Sequence, residues 1–393
     1  MSRTRLQEAL LNGCVSLAAA LVGLLSAEAT LRVIRPDPRP DLLSPASEPG
    51  LYWLHPAGAR IETAFPTITF ADYAARRPKD IVFQKGAYVF NSLGLRESSE
   101  TGPKSGPRVL CLGDSTTMGL LVRAEDAWPE QLERRLGVEV LNAGVSGHNI
   151  GQYVANARRL IPLLKPDVVV VGLYMNDAAP WPKNQRLRTW LETRSALYVA
   201  VRDAFAAAPA KPPADAAGRL AAMLDERSAA AIRKYDSFRP DFGGLLEPLA
   251  TANDLRQWEA ALPALGELKA LAQAHGARLV AAVFPAQFQV SFGYRHPEPQ
   301  RTIAKTLEKE GIPYCDMAPA FRRAAAKEPI YLYLTDFAHF NARGHELTAR
   351  CLEPLVRAEP AVAKRSRQAG SSSERYTSRN SQSSPKARRT ASR

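Results

Sequence analysis

Ser115, Asp336 and His339 are the residues of this chain whose types and spacing suit acyl transfer. A serine hydroxyl is a weak nucleophile at neutral pH until a neighbouring imidazole takes its proton. The imidazole in turn needs a partner that fixes its tautomer and stabilises its positive form. In "TDFAHFNARGH" Asp336 and His339 stand three residues apart, so one short turn presents both side chains. The carboxylate then accepts from one ring nitrogen and leaves the other to face a hydroxyl. A tetrahedral intermediate also needs donors set in advance for its oxyanion, each worth roughly 3 kcal/mol of barrier. The backbone N–H groups of Ser115 and Gly147 and the side-chain amide of Asn176 are the natural three. Glycine at 147 lets the main chain approach an oxyanion with no Cβ in the way.

These residues are far apart in the chain, so a scaffold must gather them. "RVLCLGD", "VEVLNAG" and "DVVVVGLYMND" are apolar runs that end in small or polar clusters: Gly113-Asp114-Ser115, Asn142 to Gly147, and Asn176-Asp177. Such runs predict strands covered on both faces. "ARLVAAVFP" is a fourth and "IPYCDM" a weaker fifth. Between them "DAWPEQLERRLG", "NIGQYVANARRLIPLLKP", residues 253–276 and "NARGHELTARCLEPLV" carry helical spacing and stop signals. Repeated strand–helix alternation implies a parallel sheet wrapped by helices. All strand ends then lie along one edge, where open α/β sheets bind ligands. Residues 180–252 interrupt the pattern with "LRTWLETRSALYVAVRDAFAAA" and "GRLAAMLDERSAAAIRKYD", both helical by pattern, as a lid, a substrate-selecting subdomain or a plain helical excursion. Residues 36–106 are expected to be a linker followed by short strands, with "YVFNSLGLR" (88–96) forming a hairpin.

The 393 residues suffice for one large or two ordinary domains, and 46% apolar with 23% charged residues is a globular composition. The net charge of +13 invites a nucleic-acid reading, but its distribution opposes one. From Lys364 onward there are nine lysines and arginines against one acid, Glu374, so the tail carries +8. Residues 358–393 form a Ser/Arg-rich tail expected to be disordered, with no specific nucleic-acid partner.

At the other end, residues 1–35 hold Arg3 and Arg5, then nineteen uncharged residues from Ala9 to Ala27, about a bilayer's span. The leading arginines favour a cytoplasmic N-terminus and an exported remainder. "AEA" at 27–29 resembles a signal-peptidase site, while the segment's length and Arg32 and Arg35 after it favour a retained signal anchor. Of the four cysteines only Cys315 and Cys351 are placed to pair, and no spacing suggests a metal site or a cofactor.

The blocks "GDSTTMG", "NAGVSGHN", "YMND" and "DFAH" resemble, in order and type, the four signature blocks of the SGNH hydrolases, the GDSL-type esterases and lipases. The resemblance covers residues 107–180 and 275–357, within a hydrolase domain expected over 107–357. It implies a flavodoxin-like three-layer α/β/α sandwich with a central, mostly parallel five-stranded sheet, beside the N-terminal transmembrane helix. It also implies Ser115 as nucleophile, His339 as base, Asp336 as its orienter, and an oxyanion hole from Ser115, Gly147 and Asn176. The apolar N-terminus followed by "NSLGLR" looks like the membrane-anchored bacterial branch. One departure is Tyr174, where the family usually has glycine two places before the asparagine; Gly172 lies two residues earlier.

The expected activity is ester hydrolysis outside the cytoplasmic membrane, on O-acetylated envelope glycan or a lipid ester. A non-catalytic carbohydrate-binding or scaffolding module, or an O-acyltransferase using the same residues, stays open. Asp114 and Asp177 read as structural. His148 lines the pocket or belongs to a solvated loop, and His345 is a local hydrogen-bonding residue. Trp181 and Trp190 in the insertion could stack on a sugar or cover an acyl chain, but a core position is expected, the usual fate of tryptophan at helical spacing.

Overall fold

The computed structural model of the chain describes residues 3–34, 42–67, 82–180, 184–206, 226, 255–291, 293, 298–331 and 338–365. It divides into two compact units, the smaller drawn from residues 1–47, 52–56 and 181–211. In that unit Arg3–Ile34 is one continuous helix. Over Asn12–Ile34 it has a mean hydropathy of 1.8 and nothing buried, so it is long and apolar enough to cross a membrane. Strands β1 (Ser44–Pro45) and β2 (Trp53–Leu54) pair antiparallel. The first helical stretch of the insertion is present as Gln185–Arg194 and Ala196–Ala206. The second lies outside the described residues except Glu226. Trp190 is 49% exposed, which corrects the expected core position. The buried face of its helix runs through Gln185 and Thr189, one residue round from Trp190. Trp181 lies outside the described residues.

The larger unit holds the sheet. Strands β3 (Arg60–Thr67) and β4 (Val82–Val89) form an antiparallel pair that leads into it. The hairpin expected over 88–96 is therefore absent. Val89 pairs with Arg60, and the Asn91 side chain takes the amides of Leu93 and Leu95, closing a turn where a second strand would start.

The central sheet consists of β5 (Arg108–Gly113), β6 (Glu139–Gly144), β7 (Val168–Leu173), β8 (Arg278–Val283) and β9 (Tyr314–Asp316). All neighbours are parallel, in the order β6-β5-β7-β8-β9. Every residue of β5 and β7 is buried, as a strand covered on both faces requires. The covering helices come in two pairs, Trp128–Leu136 against Ala342–Arg357 and Ile150–Leu164 against Pro263–Ala274. The helix expected over 253–276 is split into Leu255–Ala261 and Pro263–Ala274, because Pro263 has no N–H to continue the ladder. A disulfide joins Cys315 of β9 to Cys351 of the Ala342–Arg357 helix. In this strand order the winding turns back after β6, so the ligand crevice of an open sheet falls at the carboxyl ends of β5 and β7.

Candidate active site

Residue 115 stands at that crevice. Asp114 caps the four-residue helix Ser115–Met118, accepting from the Thr116 amide at 2.8 Å and the Thr116 hydroxyl at 2.6 Å. Gly119, at φ 81°, ends the helix with its N–H on the Ser115 carbonyl. The turn sits against the neighbouring strand ends. A Cβ at Gly144 would run into the Met118 backbone, and one at Gly172 into the Thr117 hydroxyl and the Phe284 ring. That explains the departure at Tyr174: the close approach to the serine turn is made at Gly172, inside β7. Tyr174 is buried, and its amide donates to the Asp177 carboxylate at 2.8 Å.

His339 arrives from the other end of the chain. The Tyr331–Phe340 bridge and the Asn341 amide on the Ile330 carbonyl fix its flank. Asn341 also caps the Ala342–Arg357 helix through the Arg343 and Gly344 amides. Phe340 packs against Phe284, Phe321 and the His345 ring. The result is a 2.9 Å hydrogen bond between His339 Nε2 and Ser115 Oγ, across 224 residues of sequence. Both side chains are half-buried, so an incoming group can reach them. An imidazole at this distance can take the hydroxyl proton as the oxygen attacks. Asp336 lies outside the described residues.

Gly147 and Asn176 sit on the loops after β6 and β7, both exposed. Two bonds tie these loops together, Ile150 N–H to Asp177 O and the Asn149 side-chain amide to Ala179 O, and Val145 N–H to Gly113 O ties the first of them to the end of β5. Gly147 has a φ of 76°, a conformation in which its N–H can turn toward the crevice without steric cost. Asn142 escaped individual notice in the sequence. Its Oδ1 accepts from the Gly144 amide and its Nδ2 donates to Met118 O, binding β6 to the serine turn. The signal was a polar residue inside an otherwise apolar strand.

The carboxyls beneath the site are buried and hold loops. Burial pushes the Asp114 pKa up, against the Thr116 hydrogen bonds and the nearby His339. Burial, with Asp114 adding to it, pushes Asp177 well above the usual carboxylate range. His148 is buried, which removes the solvated-loop reading. His345 accepts the Trp128 amide on Nδ1, and burial holds its pKa well below the usual imidazole range. Among the described residues no three His, Cys, Asp or Glu side chains form a metal cluster.

Residues 111–347 match the GDSL-like Lipase/Acylhydrolase family, more than half of the chain. The chain belongs to this family and is an ester-hydrolysing serine hydrolase. A comparison with curated proteins returns no match. Similar solved structures include a catalytic mutant of an acetylxylan esterase from Geobacillus stearothermophilus, at 14% identity and a TM-score of 0.38, covering 64% of this chain and 94% of that one. TesA is similar at 14% identity and 0.36, covering 64% and 98%. An alpha/beta hydrolase from the metagenome of Lake Arreo, Spain, is similar at 14% and 0.37, covering 64% and 95%.

Proposed function

We propose that this protein is a membrane-anchored esterase working on the outer side of the cytoplasmic membrane. Its substrate is an O-acetylated envelope glycan or a lipid ester. Ser115 is the nucleophile, His339 the general base and later the general acid, and Asp336 the group that orients His339. Attack by Ser115 Oγ on the ester carbonyl passes its proton to His339 Nε2. The amides of Ser115 and Gly147 and the Asn176 side chain stabilise the oxyanion. His339 then protonates the departing alkoxide, and water drawn in against the same base hydrolyses the acyl-enzyme. The observation that carries this reading is the 2.9 Å contact between Ser115 Oγ and His339 Nε2.

Two further observations support the location. The Cys315–Cys351 disulfide is of a kind that persists in oxidising compartments. The Ala27-Glu28-Ala29 segment lies inside the continuous first helix. There the Glu28 carboxylate accepts from Ser195 Oγ and from the Ala196 and Leu197 amides at 2.9–3.0 Å, capping the Ala196–Ala206 helix. Cleavage after Ala29 would discard that cap, which supports a retained anchor over a cleaved signal.

The full chain in detergent micelles is expected to turn over p-nitrophenyl acetate, and Ser115→Ala to abolish the turnover. Equal rates for the two would defeat the reading. Acetylated glycans and lipid esters, with products identified by mass, then decide the substrate. Intact mass of the membrane-bound protein checks for residues 1–29.

A further inference from the structure

The "NSLGLR" turn takes no part in the chemistry above, yet it ends beneath the serine. Gly94, at φ 73°, and the Asn91 side-chain oxygen Oδ1, which accepts the Leu93 and Leu95 amides, shape it. It delivers Arg96, which is 1% exposed, and the Arg96 amide fastens to the Asn142 carbonyl of β6 at 3.0 Å. The guanidinium spends its bonds on one stretch of main chain. Nη1 donates to Met118 O at 2.7 Å and Gly119 O at 2.6 Å, and Nη2 donates to Val122 O at 2.7 Å. Met118 and Gly119 close the short helix that Ser115 opens. Tyr88 lies under the guanidinium, 4.9 Å from its ring centroid, and its hydroxyl accepts from the Leu121 amide at 2.9 Å. Leu121 has a φ of 67°, a backbone conformation that a leucine does not hold unaided.

A four-residue helix has too few internal bonds to fix itself. A cation donating to the carbonyls at its C-terminal end is the favourable partner for them. Burying a guanidinium is costly unless its donors are used. Here Nη1 and Nη2 bond only main-chain carbonyls and none goes to a carboxylate, while Nε is buried with no hydrogen-bond partner among the described residues: the charge is buried to hold residues 118–122. We propose that Arg96, braced by Tyr88, is a positioning residue for ester hydrolysis. It sets the register of the turn from 115 to 122 and so aims Ser115 Oγ at His339. This rests on the assignment of Ser115 as nucleophile. Neither Arg96 nor Tyr88 touches substrate.

The test compares the full chain in micelles with Arg96→Lys, Tyr88→Phe and Ser115→Ala. Ester turnover, Ser115 labelling by a fluorophosphonate, pH–rate profiles and thermal melts are measured. Misaiming a nucleophile by a fraction of an ångström to an ångström costs up to roughly a hundredfold. Arg96→Lys is therefore expected to lose roughly tenfold to a hundredfold in kcat, and Tyr88→Phe roughly threefold to tenfold, with KM within about twofold. Labelling slows in parallel with kcat, while the pH midpoint stays, because His339 is not altered. Unchanged kcat in folded Arg96→Lys and in Tyr88→Phe overturns the inference. So does a loss that follows the melting temperature and moves KM equally. If Arg96→Lys fails to fold, Tyr88→Phe, which removes one oxygen atom, decides alone. Full turnover by Ser115→Ala would instead sink the nucleophile assignment.

Discussion

The serine turn and the histidine segment meet at one hydrogen bond but are held by different means. Around Ser115 the fixing groups are polar: the Asp114 cap, Asn142 on Met118, Arg96 on three carbonyls, Tyr88 on Leu121. Around His339 they are mainly apolar and covalent: the Phe340 ring among Phe284, Phe321 and Tyr331, and the Cys315–Cys351 bond. Directional bonds fix an angle, whereas ring packing and a cross-link fix a location. In the proposed mechanism the Ser115 oxygen must reach both a carbonyl and the imidazole, so its direction has to be set. The imidazole needs to be brought across a long stretch of chain and kept there. Changes on the serine side should therefore cost rate first, and changes on the histidine side should cost stability first.

The exception proves where that division ends: His339 itself. His339→Ala is expected to lower kcat roughly a thousandfold or more, with little change in melting temperature, as measured by ester turnover beside a thermal melt. A loss under tenfold would remove His339 from the mechanism. Next comes Phe340→Ala, which leaves a void among four rings and should cost about 3–5 kcal/mol of unfolding free energy. Denaturant titration reads this, and a cost under 1 kcal/mol breaks the comparison. Replacing both Cys315 and Cys351 by alanine opens a link across 36 residues and should cost about 3–4 kcal/mol. Turnover at low temperature should survive in that variant, and a larger loss of rate than of stability would blur the two regions.

The smallest effect concerns Glu130, close to Arg96. Burial pushes its pKa up to about 8, with Glu133 adding to the rise and Arg96 and Arg134 opposing it. Its neighbour Glu97, pushed up by burial and by Glu130, stands at about 9. A carboxyl protonated in the fold and ionised in the unfolded chain contributes stability that is full below about pH 4.5 and lost as pH rises through about 8. Glu130→Gln is expected to flatten that fall by about 1–2 kcal/mol between pH 5 and 9. Denaturant titrations at three pH values check it, and parallel curves for variant and parent would contradict it.

All five central strands were legible because a sheet buried on both faces leaves uninterrupted β-branched runs, such as Val168–Val171. Their polar termini pointed to one edge, since parallel strands share it. Ser115 and His339 could be brought together on paper for the same reason. Pro263 was the plainest missed signal, a helix break inside a well-capped segment. Arg96 could not be assigned from sequence. An arginine in a turn before a strand ordinarily faces water, and only the three carbonyls within its reach show why it is buried. Trp190 misled for the opposite reason: helical spacing says that residues share a face but not which face is covered.

The separation of 224 residues between the two hydrogen-bonded side chains has a consequence for biosynthesis. During synthesis β5 and its serine turn emerge long before the segment bearing the imidazole, and long-range closure is the slow part of folding. A half-made polypeptide therefore carries the Ser115 hydroxyl with no imidazole beside it. The two side chains meet only when the Phe340 anchor and the helix behind it have docked.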